Sequence, residues 1–491
     1  MASYSLRCNL PDNRRNMENI VAAADTDAFF KEEGKIDYQI EIFVTIDSKG
    51  IACRGKIGGL QQAEISFIDT EIINLSYSAS DYEQRKKEVV RRGILELLNK
   101  IGTPKLPWGI LTGVRPTKIY HYLRDLGFSS WEVKNKLEGQ FLLSTEKALL
   151  LAAVGETQRP WLKAAAKKIS VYIGIPFCPT KCGYCSFASY PLATHSHLIK
   201  GFLEALAYEI KAIGKALQLV DLPLVSLYIG GGTPTVLSHL QLKELLALIS
   251  RNFSIAGAME FTVEAGRPDT LDQDKLRILK EFGVTRVSVN PQTLNAQTLV
   301  RIGRQHTLEE LEKAVQLVRE VKIPCLNMDM IIGLPGEEEE DWENTLQRLF
   351  SYQAENITIH TLAPKRAAAW DFSQIKNKIE EAKVSGWLSQ AAQKMQAKGY
   401  YPYYLYRQRR SVAGQENIGY TSKGWEGLYN ILMMEERSII LGLGGGGMTK
   451  WFDRSTLKVT RTPNPKCPAT YQGRIQELVA EKVNKLLRSV N

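Results

Sequence analysis

The hydrophobic pattern of the chain changes character near residue 169. From there on, short apolar runs of strand length alternate with longer stretches in which apolar residues recur at helical spacing. This alternation predicts an α/β fold with a parallel sheet and outer helices, which is a partial or full parallel (β/α) barrel. The predicted strands cover residues 169–175, 224–230, 259–264, 286–290, 326–332 and 356–361, and the clearest helices cover residues 198–219, 240–252, 308–321 and 341–352.

The first 168 residues follow a different pattern, without regular alternation of strand and helix. A strand-like stretch on both sides of Gly50 predicts a hairpin, and three stretches with helical spacing follow it. We therefore expect an N-terminal α+β domain of unknown role over residues 1–168. The predicted hairpin covers residues 38–57, and the predicted helices cover residues 80–100, 116–127 and 141–154.

The barrel pattern stops after Trp370. A long helix is predicted over residues 372–400, and an amphipathic helix is predicted over residues 471–487. We therefore assign residues 169–370 to the barrel core and residues 371–491 to a C-terminal α+β extension that covers the substrate.

Three cysteines directly follow the first predicted strand, in the sequence YIGIPFCPTKCGYCSF. Cys178, Cys182 and Cys185 are separated by three and then two residues. Thiolates hold iron–sulfur clusters, and three of them on a [4Fe–4S] cube leave one iron open to a small molecule with an amine and a carboxylate. A zinc site with a downstream histidine, His195 or His197, is an alternative. Disulfides fit less well, because the chain is long, has seven cysteines and begins without an apolar leader.

The carboxyl ends of the other predicted strands carry polar or glycine-rich sequence. In a parallel sheet these ends meet at one edge, where functional loops converge. Together the residues are typical of a cage for a zwitterionic ligand that carries a ribose, although each carboxylate alone also fits a helix cap or an ion pair. The positions are residues 230–235 (GGGTPT), Glu264, Asn290, Gln292, Arg304 and Asp329.

A late segment, residues 402–410 (PYYLYRQRR), is dense in tyrosine and arginine. Guanidinium groups suit carboxylates and tyrosine rings stack on other ring systems, so Arg407 and Arg409 could bind the carboxylates of a ring-bearing ligand. The alternation also fits an edge strand with a charged face.

The composition is that of a globular protein. Of 491 residues, 44% are hydrophobic and 24% are charged, and no apolar run approaches the length of a membrane span. We expect a cytoplasmic protein. The net charge of +10 is compatible with an acidic partner, such as nucleic acid, anionic lipid or a small polycarboxylate, without choosing among them.

The motifs in combination resemble the radical S-adenosylmethionine (SAM) enzymes of the oxygen-independent coproporphyrinogen III oxidase family. The resemblance covers residues 172–450 and rests on YIGIPFC, CGYCSF, GGGTPT, VNPQTLN, IGRQHT, DMIIGLP and a late GLGGGG. It implies the radical SAM type of barrel and a [4Fe–4S] cluster on the three cysteines. It also implies that Tyr172, Gly231 and Glu264 contact the cluster-bound SAM. A second SAM would be held by Tyr184, Gly232, Thr233, Gln292, Arg304, Asp329 and Ala363.

The long N-terminal part and residues 403–420 are similar to the HemZ-type branch, that of coproporphyrinogen dehydrogenase. This similarity implies that a 5′-deoxyadenosyl radical drives oxidative decarboxylation of coproporphyrinogen III to protoporphyrinogen IX, with an external electron donor and acceptor. One departure stands out: Ser186 follows the cysteine triad where the oxidase branch has a further cysteine. A heme-binding chaperone on the same scaffold is therefore an alternative. A radical enzyme acting on RNA ranks third, and nucleic acid is not the expected partner, because the chain has no basic low-complexity tail.

Overall fold

The computed structural model describes residues 2–10, 13–25, 28–47, 50–69, 79–363, 368, 370, 381–408, 411 and 414–489. They form two compact units, residues 1–153 and residues 154–491. A sheet of five strands lies in the first unit and a sheet of eleven strands in the second. The three-part division predicted from the sequence, with boundaries near Lys168 and Trp370, stays a prediction.

The sheet of the first unit contains β1 (Ser3–Cys8), β2 (Phe29–Phe30), β3 (Tyr38–Asp47), β4 (Gly50–Gly59) and β5 (Ala63–Asp69). Their order is β2-β1-β3-β4-β5. The predicted hairpin is confirmed as β3 and β4, whose pairing places Val44 opposite Cys53. Sequence analysis missed β1 and β5, which flank that hairpin.

The helices that begin in the first unit are α1 (Arg14–Ala24), α2 (Ala79–Lys100), α3 (Thr117–Asp125), α4 (Ser130–Gly139) and α5 (Thr145–Ala164). α2 packs on the sheet and buries Val90, Ile94 and Leu98. The helix predicted over residues 141–154 is displaced, because Leu142 takes a φ of 57° and the Phe141 carbonyl accepts from the amide of Ile110 at 2.9 Å. The apolar residues at the start of that pattern therefore pack as a turn.

The described residues of the second unit form thirteen strands. They are β6 (Ile169–Ile175), β7 (Phe177–Cys178), β8 (Tyr190–Pro191), β9 (Leu224–Gly231), β10 (Glu260–Glu264), β11 (Arg286–Ser288), β12 (Cys325–Ile332), β13 (Asn356–Thr361), β14 (Tyr401–Arg407), β15 (Glu416–Thr421), β16 (Ile439–Gly444), β17 (Met448–Phe452) and β18 (Val459–Pro463).

The order of the large sheet is β14-β15-β13-β12-β11-β10-β9-β6-β16-β17-β18. The six strands predicted from the sequence are its consecutive parallel strands β13 to β6, so the predicted α/β class is confirmed. β16 adds a further parallel strand beside β6, and antiparallel strands complete both sides. Because the order ends in two different strands, β14 and β18, the described residues form a partial barrel.

The helices of the second unit follow the strands as predicted. They are α6 (Leu192–His195), α7 (Ile199–Val220), α8 (His239–Asn252), α9 (Gln273–Glu281), α10 (Ala296–Arg301), α11 (Leu308–Val321), α12 (Glu339–Ser351), α13 (Glu381–Ala397), α14 (Leu428–Glu435), α15 (Pro468–Gly473) and α16 (Ile475–Arg488). None of the described helices is long and apolar enough to cross a membrane.

Two helix predictions near the C-terminus change. α13 is the described part of the helix predicted over residues 372–400, and residues 371–380 lie outside the described residues. The helix predicted over residues 471–487 is two helices, because Arg474, with φ −110° and ψ 8°, interrupts it directly after Gly473. Glycine is a poor helix former, which suits this break.

Helix α14 covers the amino ends of the parallel strands. Arg286, the first residue of β11, donates to the carbonyl oxygens of Trp425 at 3.0 Å and Glu426 at 3.3 Å. The amide of Leu428 donates to the carboxylate of Glu260, the first residue of β10, at 2.5 Å. Loops at the opposite, carboxyl ends of these strands carry the predicted site residues.

Candidate functional site

The cysteine loop follows β6 at the carboxyl edge of the sheet. Cys178 and Cys182 are each 9% exposed, and Cys185 is partly exposed. All seven cysteines are among the described residues, and none forms a disulfide. The amide of Gly183 donates to the carbonyl of Ile302 at 3.0 Å, which ties the loop to the segment after α10.

The chemistry of the donor set fits an iron–sulfur cluster. Burial raises the pKa of the Cys178 thiol to about 12, and the neighbouring Cys185 and Cys182 add to this shift. A bound metal would have to displace that proton, which couples metal binding to pH. No group of three His, Cys, Asp or Glu side chains among the described residues is placed to hold a single metal ion. In an iron–sulfur cube each thiolate binds a different iron, so its ligands stand farther apart than those of one zinc ion.

The glycine-rich turn after β9 lies against the cysteine loop. The amide of Gly232 donates to the carbonyl of Ile175 at 2.8 Å, and the amide of Thr233 donates to the carbonyl of Phe177 at 2.7 Å. A side chain at Gly232 would place its Cβ 2.3 Å from the carbonyl oxygen of Phe177, so only glycine fits. The Thr233 hydroxyl lies 3.4 Å from the Cys178 sulfur. The glycine-rich turn therefore lies against Cys178, the first cysteine of the loop.

Glu264, at the end of β10, lies beside the same turn. Its carboxylate accepts from the Tyr228 hydroxyl and, at 3.3 Å, from the amide of Gly231. Burial raises the pKa of Glu264 to about 7. Tyr172 lies close enough for Glu264 to raise the pKa of its phenol, so the residues matched to the first SAM are brought together.

A stack of three tyrosines lines this part of the barrel. The rings of Tyr172 and Tyr228 are 6.1 Å apart, and Tyr429 packs against Tyr228 at 4.3 Å and against Tyr172 at 5.9 Å. Tyr429 belongs to α14 and was missed from the sequence, since its surroundings (GLYNILMM) show only an apolar helix.

The residues matched to a second SAM meet at the neighbouring strands. The amide of Gln292 donates to the carbonyl of Asp329 at 2.9 Å, and Arg304 donates to the carbonyl of Asn290. The Arg304 guanidinium also lies against Tyr184 and Cys182, and these interactions keep its pKa high despite burial. This set thus borders the cysteine loop directly.

Several buried polar atoms in this set have no hydrogen-bond partner among the described residues. They are Asn290 Oδ1, Gln292 Oε1 and Arg304 Nε. Gln292 also holds a φ of 70°, a left-handed conformation that is strained for glutamine. Buried polar atoms normally find partners, so this cluster of orphaned atoms fits a polar ligand.

The remaining predicted residues lie at the same edge, with one outside the described residues. Ala363 is buried just after β13, and Tyr184 packs edge-on against Trp370 with ring centroids 6.3 Å apart. Arg407, at the carboxyl end of the edge strand β14, donates to the carbonyl of Gly414 at 3.1 Å. Arg409 lies outside the described residues.

The structure adds polar residues that sequence analysis missed. His360 Nε2 lies 3.7 Å from Asp329 Oδ2, and the Tyr406 hydroxyl lies 3.3 Å from His360 Nδ1. Asn327 donates to the other oxygen of Asp329 at 3.0 Å. The alternation within the predicted strand over residues 356–361 places Thr358 and His360 on one face, a signal that could have identified them.

The comparisons with known proteins agree with this geometry. Residues 172–349 match the radical SAM superfamily. The chain is 35% identical over 459 residues to the oxygen-independent coproporphyrinogen-III oxidase-like protein HemZ of Bacillus subtilis (strain 168), covering 92% of this chain and 91% of that protein. It is also 38% identical over 195 residues to the heme chaperone HemW of the same organism, covering 39% of this chain and 50% of that protein. With the heme chaperone HemW of Escherichia coli (strain K12) the identity is 26%, over 63% of this chain and 77% of that protein.

The fold is similar to one solved structure in particular, that of coproporphyrinogen III oxidase (HemN) from Escherichia coli, described there as a radical SAM enzyme. The TM-score is 0.51 at 21% identity, and the match covers 65% of this chain and 72% of that one.

Proposed function

The chain belongs to the radical SAM family that includes the HemZ, HemW and HemN proteins, and from this premise we propose that it is an oxygen-independent decarboxylase of coproporphyrinogen III. In the proposed reaction a propionate side chain loses a hydrogen atom from its β-carbon, then carbon dioxide and one electron, which leaves a vinyl group. The electron passes to an external acceptor. Two such rounds convert coproporphyrinogen III to protoporphyrinogen IX.

Membership of the radical SAM superfamily implies a [4Fe–4S] cluster and SAM. When bound, they supply the radical that takes a hydrogen atom from the substrate. We assign the cluster to the thiolates of Cys178, Cys182 and Cys185, whose donor set and position support this assignment. The task of the other residues is to bind and orient SAM and the substrate, and to exclude water.

The first SAM is assigned to the residues around Glu264. The Glu264 carboxylate would accept from the amino N–H groups of SAM, while the backbone of Gly231 allows close approach and Tyr172 packs beside them. A second SAM is assigned to the set with orphaned polar atoms. That set comprises Tyr184, Gly232, Thr233, Gln292, Arg304, Asp329 and Ala363.

One observation carries the proposal: the cysteine loop and a continuous polar surface share the carboxyl edge of one sheet. On that surface His360 lies between Asp329 and Tyr406, within 3.7 Å of the Asp329 carboxylate and 3.3 Å of the Tyr406 hydroxyl. A carboxylate there can accept from pyrrole N–H groups, and tyrosine rings can pack on the macrocycle. Arg407 and Arg409 are proposed to bind the propionates.

A heme-binding carrier is the second candidate. Two observations favour it: Ser186 stands where the oxidase branch has a further cysteine, and part of the chain is similar to proteins named heme chaperone. A carrier would keep the scaffold and bind heme without changing it.

An anaerobic assay separates the two candidates. Reconstituted protein is mixed with SAM, a reductant, coproporphyrinogen III and an electron acceptor, and carbon dioxide and the vinyl product are measured. We expect both to form. If the substrate stays intact while the protein binds heme tightly, the carrier is the correct function.

The control for this assay is Cys182→Ala. Loss of one of three cluster ligands should abolish the visible iron–sulfur absorbance and SAM cleavage together. SAM cleavage that survives the substitution would contradict the assignment of the cysteines.

A further inference from the structure

Arg267 is a buried cation next to the cysteine loop that belongs to neither the cluster ligands nor the two proposed SAM sites. It lies in the loop after β10, is 2% exposed and forms a two-pronged ion pair with Asp269. Its Nε donates to Oδ1 at 3.1 Å, and one terminal nitrogen donates to Oδ2 at 3.2 Å. The guanidinium is therefore held in one orientation.

The remaining terminal nitrogen of Arg267 donates to the hydroxyl of Thr180 at 2.9 Å. Thr180 is the middle residue of the three between Cys178 and Cys182. Its hydroxyl in turn donates to the carbonyl of Gly303 at 3.1 Å. A hydroxyl can accept and donate at once, so one threonine links the cysteine loop to two different parts of the barrel.

The segment after α10 holds the loop from the other side. Gly303 has a φ of 77°, and the preceding residue, Ile302, accepts from the amide of Gly183. The cysteine loop is thus tied on both flanks of Cys182. It has little secondary structure of its own, so these ties contribute to its order, together with the bond from the Thr233 amide to the Phe177 carbonyl.

We propose that Arg267, acting through the Thr180 hydroxyl, is a positioning residue that fixes the cysteine loop in the shape that binds the iron–sulfur cluster. The proposal rests on the assignment of the cluster to these cysteines. Fixing a residue of a flexible loop in one conformation costs conformational entropy. If the loop is ordered when the protein folds, this entropy is lost during folding and not during cluster binding. The cluster then binds to thiols that are already in place.

The test measures how firmly the full-length protein retains iron. Wild type and variants are reconstituted anaerobically with iron and sulfide, and iron per protein and the rate of iron transfer to a chelator are recorded. Thr180→Val removes the hydroxyl and nearly keeps the shape, and we expect roughly tenfold faster iron loss from it. Thr180→Ser keeps the hydroxyl, so its rate should stay close to that of wild type.

Arg267→Gln should lose iron at least as fast as Thr180→Val, because it removes the donor. Arg319→Gln is the matched control, since Arg319 forms a comparable ion pair with Glu355, at 2.8 and 3.1 Å, next to the amino end of β13. It should change thermal stability without changing iron loss.

The proposal would be overturned if Thr180→Val lost iron at the same rate as wild type. It would also be overturned if Thr180→Ser lost iron as fast as Thr180→Val. A wild-type protein that takes up no cluster would overturn it together with the cysteine assignment. A wild-type protein that holds its cluster but does not decarboxylate coproporphyrinogen III would overturn the proposed reaction alone, and the iron measurements would still decide the role of Arg267.

Discussion

Glu264 shows how burial at a single residue can control ligand binding. Burial raises the pKa of its carboxyl from 4.5 to about 7, so the group is substantially protonated near neutral pH. We expect SAM affinity of the cluster-loaded protein to rise as the pH rises through about 7, because a carboxylate accepts more strongly than a neutral carboxyl group from the amino N–H groups of SAM. Calorimetric titration at several pH values measures this.

Glu264→Gln should bind SAM more weakly and with little pH dependence over the same range. Glu337→Gln is the control, because burial also raises the pKa of Glu337 to about 7 while its carboxylate is bonded to Thr293 instead of the glycine turn. A pH dependence that survives in Glu264→Gln would show that another group causes it.

The same shift affects stability. The folded protein keeps the proton of Glu264 at pH values where the unfolded chain has released it. This contribution to stability is complete below pH 4.5 and is lost as the pH rises through about 7.

At the residue scale, features formed by residues close together in the sequence could be predicted, and contacts between residues far apart in the sequence could not. The spacing of Cys178, Cys182 and Cys185 is local, so the loop was visible from the sequence alone. Tyr429 meets Tyr172 and Tyr228, and Arg267 meets Thr180, only through long-range packing. A tyrosine in an apolar helix and an arginine near an aspartate are common in globular proteins of every function, and nothing in the sequence selected them.

At the element scale, a buried ion pair joins the last helix to the barrel. Lys482 on α16 and Glu209 on α7 are both 0% exposed, and Lys482 also donates to the carbonyl of Gly442 at 2.6 Å. Glu209 accepts from the amide of Gly444 at 2.8 Å and from the Tyr471 hydroxyl at 2.5 Å. The network joins β16 and its glycine-rich turn to three helices, α7, α15 and α16.

We expect Lys482→Met to lower the free energy of unfolding by about 3–5 kcal/mol, because it leaves the Glu209 charge buried without its cation. Lys485→Met is the matched control, one turn further along α16. Lys485 is 46% exposed and pairs with the exposed Glu481, so its loss should cost about 0–1 kcal/mol. Denaturant unfolding of both variants measures the difference, and equal costs would contradict the role of burial.

Strands that are buried on both faces were the most predictable elements. β6 and β13 agree with their predicted limits to the residue. β6 (ISVYIGI) is a short, nearly continuous apolar run and β13 (NITIHT) alternates apolar and polar residues, and both patterns are typical of strands. The antiparallel pairing of β14 with β15 and of β17 with β18 was not predicted. Pairing depends on which edge of the parallel sheet is free, and that is a property of the assembled sheet.

At the scale of the whole molecule, each of the two units has its own sheet, and no strand of the five-stranded sheet pairs with one of the eleven-stranded sheet among the described residues. We expect a chain that begins at Ser144 to fold and to take up iron at the wild-type ratio, since it keeps α5 and every barrel strand. Circular dichroism and iron analysis beside the full-length protein measure this. A shortened chain that folds without binding iron would mean that residues 1–143 are required for the site.

The overall architecture was predictable, since strand and helix alternation specifies a parallel sheet before any contact is known. Of the strands beyond residue 400, the sequence indicated only an edge strand near residues 402–410. The placement of β16 to β18 was not predictable, because they join the sheet beside β6, far from their sequence neighbours β13 to β15.

The residues that begin helix α14 and those just before it bond to the amino ends of β10 and β11, through Glu260 and Arg286. For the proposed reaction, the substrate would approach from the opposite, carboxyl ends of these strands, beside the cysteine loop. Two propionates of one macrocycle would have to reach the same cluster in turn, so the macrocycle would have to change its orientation between rounds. Under the proposed reaction, a tricarboxylate released halfway should accumulate whenever fresh substrate competes for re-entry.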